Sequence, residues 1–365
     1  MYPQSTPLVF ETKDEGRKTK DARNKKTFFG CVPHFSSLVP RPSSFVFRNA
    51  ILFFFLISAL PGCGPKYTYL ADAVPASIQQ ICHDEYKLEV IGRVEGKTAG
   101  ALYYVDDILD DKGQIPKEIH EKMGQIMQAV TRVSLSTDLP VDYCVVVIRD
   151  RAHLNELTIT RSLDDTKRAN SDAIGVEESI NRTLFGQGKY QLPSDGEKNF
   201  VMKEVKQQYF LAEQIAQRVR FGIAKDSKDT AEEAAPQQSL TLVDGVFNQT
   251  GTERKFRFSI LSLKTEEAHE PVLNILKTIK DVLGGYQFYD FDSIEVLDYL
   301  NRQKLEISKQ VFLDYQNKKI TEQEILDKYL TESQTMQEAF KLFGFNLGDA
   351  PDAAEAAPAI GAATP

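Results

Sequence analysis

The stretch Val141–Asp150, VDYCVVVIRD, decides how the chain is expected to fold. From Tyr143 to Ile148 it is continuously apolar and mostly β-branched, and polar residues bound it on both sides. Such a run is typical of a buried strand. A buried strand needs neighbouring strands and a layer of helices to cover it, so the adjacent segments should supply both.

The segments upstream of this strand supply a helix, a hairpin and a second helix. The first helix is predicted from Pro75 to Tyr86, because its apolar residues share one side. The hairpin is predicted over Lys87–Leu109, with a turn over Glu95–Gly100 between two alternating runs. The second helix begins at Pro116 and repeats apolar residues at spacings of three and four. The resulting order is α–β–β–α–β.

The same order returns downstream. A helix is predicted over Glu197–Ala224, with Val201 and Val205 on its apolar face, and a hairpin over Ser239–Leu263 that turns near Asn248–Gly251. A helix that ends at Gly284-Gly285 and another strand complete the second set. The repeat is one of pattern, without residue identities between the halves, so duplication is a hypothesis.

These patterns predict an α+β fold with two small α/β domains. Each domain is expected to hold a short, mostly antiparallel sheet with helices packed on it, and C-terminal helices follow. Thr321–Glu324 is a capping box that opens one of these helices, and Gly186-Gln187-Gly188 is predicted as a loop. Within the segment Arg151–Ser194, the stretch Ala152–Asn170 fits either a helix or a strand pair. From residue 75 onward, the predicted divisions are a first domain (75–224), a charged linker (225–238), a second domain with the C-terminal helices (239–346) and a disordered Ala/Pro-rich tail (347–365).

The apolar run Ala50–Leu60 predicts where the protein resides. A helix that spans a membrane needs about 20 apolar residues, whereas the core of a signal peptide has about 7–15. Arg48 stands before the run, and Leu60-Pro61-Gly62-Cys63 follows it directly. A buried strand or core helix is the alternative interpretation of the run.

This arrangement resembles the signal peptide and lipobox of bacterial lipoproteins. Leu60, Gly62 and Cys63 match the lipobox, whereas Pro61 departs from its usual pattern. The resemblance implies that a signal peptide (46–62) is removed and that Cys63 carries acyl chains such as palmitate, with 63–74 as a tether. Residues 1–45 are expected to be an upstream segment from a start assigned too early, or a disordered arm.

The same resemblance implies a location and a first partner. The lipid bilayer would hold the protein through the acylated cysteine, because more than one acyl chain gives stable anchoring. In bacterial lipoproteins, Asp directly after the acylated cysteine retains the protein at the inner membrane. Gly64 occupies that position here, so the resemblance implies the outer membrane, with the protein facing the periplasm. The whole chain resembles uncharacterised cell-envelope lipoproteins of Gram-negative-type bacteria.

Charge and cysteine content narrow the remaining possibilities. The chain has 44 Lys and Arg against 52 Asp and Glu, a formal net charge of −8, which argues against nucleic acid as a partner. Outside the cytoplasm Cys82 and Cys144 could form a disulfide, or they could stay as two buried thiols.

Motifs for catalysis, metal ions and cofactors do not occur in the sequence. It contains no G-x-S-x-G, H-E-x-x-H or phosphate-binding glycine loop. The acidic segment Asp106–Glu118 fails as an EF-hand, because Ile108, Lys112 and Ile119 would occupy ligand positions. We therefore expect no cofactor and no metal ion, and the sequence favours a non-enzymatic role while leaving an enzyme open.

Aromatic clusters are the strongest hint of an interaction surface. Part of each cluster should face water if its strand alternates, so these residues are candidates for contact with envelope proteins: Tyr103, Tyr104, Tyr286, Phe288 and Tyr289. The function we expect is that of a non-enzymatic interaction or scaffolding lipoprotein. The alternatives are a periplasmic ligand-binding protein with a cleft between its domains, and a hydrolase. An exposed apolar strip would favour the scaffold, and a pocket with perturbed ionisable groups the hydrolase.

Overall fold

Two five-stranded mixed sheets, each with helices packed on it, build the chain and confirm the predicted α+β class. The structure is a computed structural model that describes residues 67–191, 200–229, 241–262 and 269–332. The predicted signal peptide, Cys63, the last predicted helix (333–345) and the tail (347–365) lie outside the described residues. Both sheets belong to one compact unit.

The first domain places the VDYCVVVIRD strand at the centre of its sheet. The sheet order is β1-β2-β3-β4-β5, in which β2 and β3 are parallel and the other neighbours are antiparallel. Its elements are α1 (Val74–Tyr86), β1 (Val90–Glu95), β2 (Thr98–Val105), α2 (Lys117–Leu135), β3 (Tyr143–Asp150), β4 (Asn155–Ser162), α3 (Leu163–Asn170), α4 (Val176–Asn181) and β5 (Leu184–Lys189).

The second domain repeats this connectivity element by element. The sheet order is β6-β7-β8-β9-β10, and again only the second and third strands, β7 and β8, run parallel. Its elements are α5 (Gln207–Asp229), β6 (Thr241–Thr250), β7 (Glu253–Ser262), α6 (Glu270–Tyr286), β8 (Ser293–Asp298), β9 (Gln303–Ser308), α7 (Lys309–Gln316), α8 (Glu322–Tyr329) and β10 (Leu330–Glu332).

The two hairpins that open the domains agree in register. Each closes on a glycine with positive φ, Gly96 at 52° and Gly251 at 60°. Side chains other than glycine rarely adopt this conformation, so both turns require the residue that they have. The fourth residue after each glycine pairs in parallel with the central strand, as Gly100 with Val145 and as Lys255 with Ser293.

The second hairpins also correspond residue by residue. The shared pattern is D-x-x-[HN]-x-[NQ]-x-L-x-I, which starts at Asp150 in one domain and at Asp298 in the other. The residue between the two polar positions is left-handed in both hairpins, Leu154 at φ 57° and Arg302 at φ 51°. The hypothesis of duplication thus gains residue correspondences that the linear sequence had not revealed. The domains are two copies of one topology.

The long helix α5 belongs to the second domain, although the sequence placed it at the end of the first. Its residues Phe210, Leu211 and Ile215 are buried in the core that contains Phe256 and Phe258. The helix also continues to Asp229, into the segment predicted as a linker.

The prediction that this helix begins at Glu197 is wrong for residues 200–206, which the structure describes as non-helical. These residues are neither helix nor strand, and Phe200 and Met202 are buried whereas Val201 is exposed. Phe200 and Met202 pack on a second apolar face of the first sheet. The Val205 N–H donates to Thr98 Oγ1 at 2.8 Å, so contacts with the first sheet override the helical spacing.

Three smaller predictions are settled by the strand and helix bounds. The segment Arg151–Ser194 contains both a strand, β4, and a helix, α3. Gly186 and Gly188 lie in the edge strand β5 rather than in a loop. Helix α6 includes Gly284 and Gly285, and the left-handed residue that follows it is Gln287.

The capping box at Thr321 is confirmed, with both of its reciprocal hydrogen bonds formed. Of the helices that the structure describes, none has the length and apolar character that crossing a membrane requires.

Candidate functional site

A buried ion pair lies where the two domains meet. Asp165 on α3 is 1% exposed, and its carboxylate accepts hydrogen bonds from Arg182 at 2.8 Å and from the Tyr286 hydroxyl. Tyr286 ends α6, so this contact crosses from one domain to the other. A Cβ at Gly285 would lie 3.1 Å from Arg182 Nη2, so glycine leaves room for the guanidinium.

Further hydrogen bonds extend this junction. Gln214 on α5 donates to the Tyr286 oxygen at 3.1 Å and to the Arg182 carbonyl at 2.9 Å. Glu178 accepts from Arg182 Nε at 2.6 Å and from Arg218 at 2.9 Å. Burial, and then Asp165, raise the pKa of Tyr286, so its hydroxyl stays protonated as a donor. The junction therefore fixes the two domains to each other.

A cleft of about 920 Å³ opens beside this junction, between the domains. The first domain contributes the turn at Lys97, the start of β3 and the first turns of α3, and the second contributes the end of α6. Residues 204–206, which precede α5, and the first residues of α5 complete the wall. The lining residues are Lys97, Val141, Asp142, Tyr143, Ser162, Asp164, Lys167, Arg168, Glu204, Val205, Lys206, Gln207, Gln208, Gly285, Tyr286 and Gln287.

Part of the charge in the cleft is already compensated. Lys97 Nζ lies 3.1 Å from Asp142 Oδ2, and the Lys97 N–H donates to Glu204 at 3.1 Å. Within the described part of the chain, five further charged lining residues form no ion pair: Asp164, Lys167, Arg168, Glu204 and Lys206. The uncompensated charge that faces the cleft is therefore positive.

Tyr143 brings a hydroxyl on a largely buried side chain to the wall of the cleft. The residue is 6% exposed, and its ring packs against Phe210 with 5.0 Å between centroids. No described residue forms a hydrogen bond with its hydroxyl. Phe291 is the equivalent residue in the second domain, because it precedes Asp298 by the same number of residues as Tyr143 precedes Asp150. The fold therefore accepts a ring without the hydroxyl at this place.

The cleft lacks groups that are activated for catalysis. Its lining contains neither histidine nor cysteine. Burial raises the pKa of both Tyr143 and Tyr286, which makes each phenol a poorer base and nucleophile at neutral pH. The arrangement can bind a polar molecule, but it offers no nucleophile with a neighbouring base.

One group of potential metal ligands occurs away from the cleft. One ligand atom from each of Asp107, Asp150 and His153 lies within 4.8 Å of the others. Asp150 already accepts from the N–H groups of His153 at 2.8 Å and Asn155 at 3.1 Å, and from Asn155 Nδ2 at 2.7 Å. His153 Nδ1 lies 2.8 Å from Asp107.

The second domain explains this group without a metal ion. Asp298 accepts the Asn301 N–H at 3.0 Å and Asn301 Nδ2 at 2.9 Å, so the same turn is closed there with asparagine in the place of His153. The buried aspartate therefore closes the turn in both copies. Motif searches missed the group because Asp107 and His153 are far apart in sequence.

The predicted interaction residues do not form one surface. Tyr103 and Tyr104 are half-buried against two different apolar clusters of the first domain, and Lys122 and Arg151 lie over their rings. The remaining three, Tyr286, Phe288 and Tyr289, are half-buried against the core of the second domain. Tyr286 serves the junction instead.

The two cysteines of the first domain are free and fully buried. Cys82 and Cys144 are each 0% exposed and lie in the same apolar cluster, without a disulfide between them. Burial raises the pKa of each thiol to about 11. The lipobox residues Leu60, Gly62 and Cys63 lie outside the described residues.

Comparison with protein-family models, with curated proteins and with solved structures finds no match. The fold and the site define a duplicated α+β protein whose two domains meet at a buried ion pair beside a polar cleft.

Proposed function

We propose that the protein is a non-enzymatic, lipid-anchored binding protein of the cell envelope that holds a small polar molecule between its domains. The observation that carries the proposal is the cleft of about 920 Å³, to which both domains contribute side chains. Clefts of about 300–1,000 Å³ at domain interfaces are common sites for small ligands.

The junction beside the cleft supports a preformed site. Asp165, Arg182 and Tyr286 join the domains in a buried network, so a ligand would not have to bring them together. A preformed site avoids the free-energy cost of ordering that a flexible one incurs.

The two other functions receive less support. A hydrolase would need an activated nucleophile, and the cleft lining provides none. A scaffold would be favoured by a continuous exposed apolar strip, but the large exposed apolar side chains come from separate segments, among them Leu70, Val176, Val201 and Leu300.

A cleft-blocking variant tests the proposed binding. The full chain with Cys63→Ala would be dialysed against small-molecule extract from cells that express it, and molecules enriched by the protein identified by mass spectrometry. We expect at least one polar molecule to be enriched. Gln207→Trp, at the cleft, should abolish its enrichment, whereas Gln128→Trp, on the exposed side of α2, should not. Equal enrichment by both variants, or none by the parent, would contradict the proposal.

The anchor is proposed from Leu60, Gly62 and Cys63, and it has a separate test. Cys63→Ala should leave the chain without acyl groups and move it from the membrane to the soluble fraction. An intact mass that corresponds to an unmodified chain starting at Met1 would contradict the anchor. The outer membrane is proposed from Gly64, and density-gradient fractionation that finds the protein with inner membranes would contradict it.

A further inference from the structure

We infer that the cleft binds a small molecule that carries a phosphate or carboxylate group, held by Lys167, Arg168 and Lys206 and by the hydroxyl of Tyr143. This inference rests on the proposed function, because it names the class of ligand for the same cleft. Phosphate and carboxylate groups form their strongest side-chain hydrogen bonds with the guanidinium group of Arg and the ammonium group of Lys.

The charge of the cleft is the first argument. Asp142 pairs with Lys97, whereas Glu204 accepts only the backbone N–H of Lys97 and keeps its charge. Three cations (Lys167, Arg168 and Lys206) and two acids (Asp164 and Glu204) then face the cleft without an ion pair among the described residues, which leaves one positive charge in excess. This local excess is opposite in sign to the net charge of the chain, −8.

The duplicated helix α7 shows that the fold does not require these cations. Helices α3 and α7 each start after a serine, Ser162 and Ser308, and each is followed by a left-handed residue. The fifth and sixth residues after the serine are Lys167 and Arg168 in α3, but Leu313 and Asp314 in α7. The two cations are therefore particular to the copy that lines the cleft.

Tyr143 supplies the third argument. Its hydroxyl sits on a side chain that is more than nine-tenths buried, at the cleft wall, without a hydrogen-bond partner among the described residues. Phe291 fills the equivalent place in the second domain, so the hydroxyl is not needed for packing. The hydroxyl is therefore available to donate a hydrogen bond to an anionic oxygen in the cleft.

The test measures anion binding to the full chain with Cys63→Ala by isothermal titration calorimetry. The probes are inorganic phosphate and succinate, with glycerol as the neutral comparison. We expect phosphate or succinate to bind and glycerol not to bind. Lys167→Gln with Arg168→Gln should weaken anion binding by about tenfold or more, because charged hydrogen bonds are lost. Tyr143→Phe should weaken it several-fold, with the fold retained by circular dichroism.

A matched variant removes the same charge elsewhere. Lys112→Gln with Arg302→Gln changes two exposed cations outside the cleft and should bind phosphate like the parent. Vesicles of phosphatidylglycerol, compared with phosphatidylcholine, distinguish the source of the anion. Binding to the former identifies a lipid headgroup, and binding of phosphate or succinate alone identifies a soluble anion.

Two outcomes would overturn the inference. One is that neither anion binds, and the other is that the Lys167 and Arg168 variant binds as well as the Lys112 and Arg302 variant. If the extract experiment still enriches a neutral molecule and Gln207→Trp abolishes that enrichment, the proposed function stands and only the anion is wrong. If no molecule is enriched and no anion binds, both fail.

Discussion

Asp150 belongs to a group of potential metal ligands, yet its carboxylate closes a turn by accepting hydrogen bonds. Burial alone would raise the pKa of its carboxyl, but hydrogen bonds from His153, Asn155 and Ile108 lower it below its usual value. Because the folded state holds this proton more weakly than the unfolded state, the ionised group stabilises the fold above the unfolded pKa of about 3.9. This contribution is lost as the pH falls through the folded pKa.

The first prediction follows from that sign. Asp150→Asn should lower the free energy of unfolding at pH 7 by about 1–3 kcal/mol, because Asn keeps one acceptor oxygen but places an amide NH2 against Asn155 Nδ2. The difference from the parent should shrink as the pH falls below the unfolded pKa of about 3.9, where the unfolded chain takes up the proton. Urea titrations at pH 7 and at about pH 3 measure this, with exposed Asp72→Asn as the control. A difference that is unchanged between pH 7 and pH 3 would speak against it.

The second prediction concerns the hydroxyl that crosses between the domains. Tyr286→Phe keeps the ring but removes the donor to Asp165 and the acceptor for Gln214. It should lower the free energy of unfolding by about 1–3 kcal/mol. Tyr289→Phe is the control, because no described residue forms a hydrogen bond with that hydroxyl and the residue is also half-buried. Equal effects of the two changes in urea unfolding would exclude a role for the junction.

At the scale of elements, the turn glycines give the third prediction. Gly251→Ala should cost about 1–2 kcal/mol, because only its positive φ opposes a side chain. Gly96→Ala should cost more, because its Cβ would also lie 2.3 Å from Glu204 Oε1 and displace the carboxylate that accepts the Lys97 N–H. Chemical denaturation of both variants ranks them.

Gly124→Ala is the matched control for these turns. Gly124 lies within α2, and nothing stands within 4 Å of an added Cβ. This change should stabilise the protein by about 0.5–1 kcal/mol through helix propensity. A stabilising effect of Gly251→Ala would show that the turn does not need a positive φ.

The sequence predicted the elements whose periodicity comes from their own side chains. Helix α2 and the two opening hairpins bury regularly spaced residues, so local pattern and final structure agree. Residues 200–206 and strand β5 could not be predicted in this way. Residues 200–206 are not helical because they cover the first sheet, and β5, with its exposed glycines, is a strand because it pairs with β4. The cleft residues come from segments that are distant in the sequence, so no sequence motif could predict the cleft.

At the scale of the molecule, the junction predicts that the two domains unfold together. Cys82 and Cys144 report on the first core, because both are 0% exposed and burial raises each thiol pKa to about 11. In a chain with Cys31→Ser and Cys63→Ser, neither thiol should react with Ellman's reagent at about pH 8 until the protein unfolds.

The comparison of two signals tests this fourth prediction. The urea midpoint of thiol exposure should coincide with the midpoint of far-UV circular dichroism, which reports on both domains. Thiol exposure at clearly lower urea would show that the first domain opens alone, and the junction would then not couple the two. Recovery of fewer than two reactive thiols after unfolding would point to a disulfide that the structure does not contain.

The matched registers of the two sheets also create a hazard during refolding. Since β4 and β9 meet their partner strands in the same alignment, either strand could satisfy the hydrogen bonds of the other's neighbour. Tandem domains with alike backbones are prone to such exchange between domains. Side-chain volume does not oppose the exchange of these two strands, because Leu157 and Ile159 of β4 correspond to Leu305 and Ile307 of β9. It opposes an exchange of β2 with β7, because Ala101 corresponds to Phe256, so a swap there would leave a void in one core and a clash in the other.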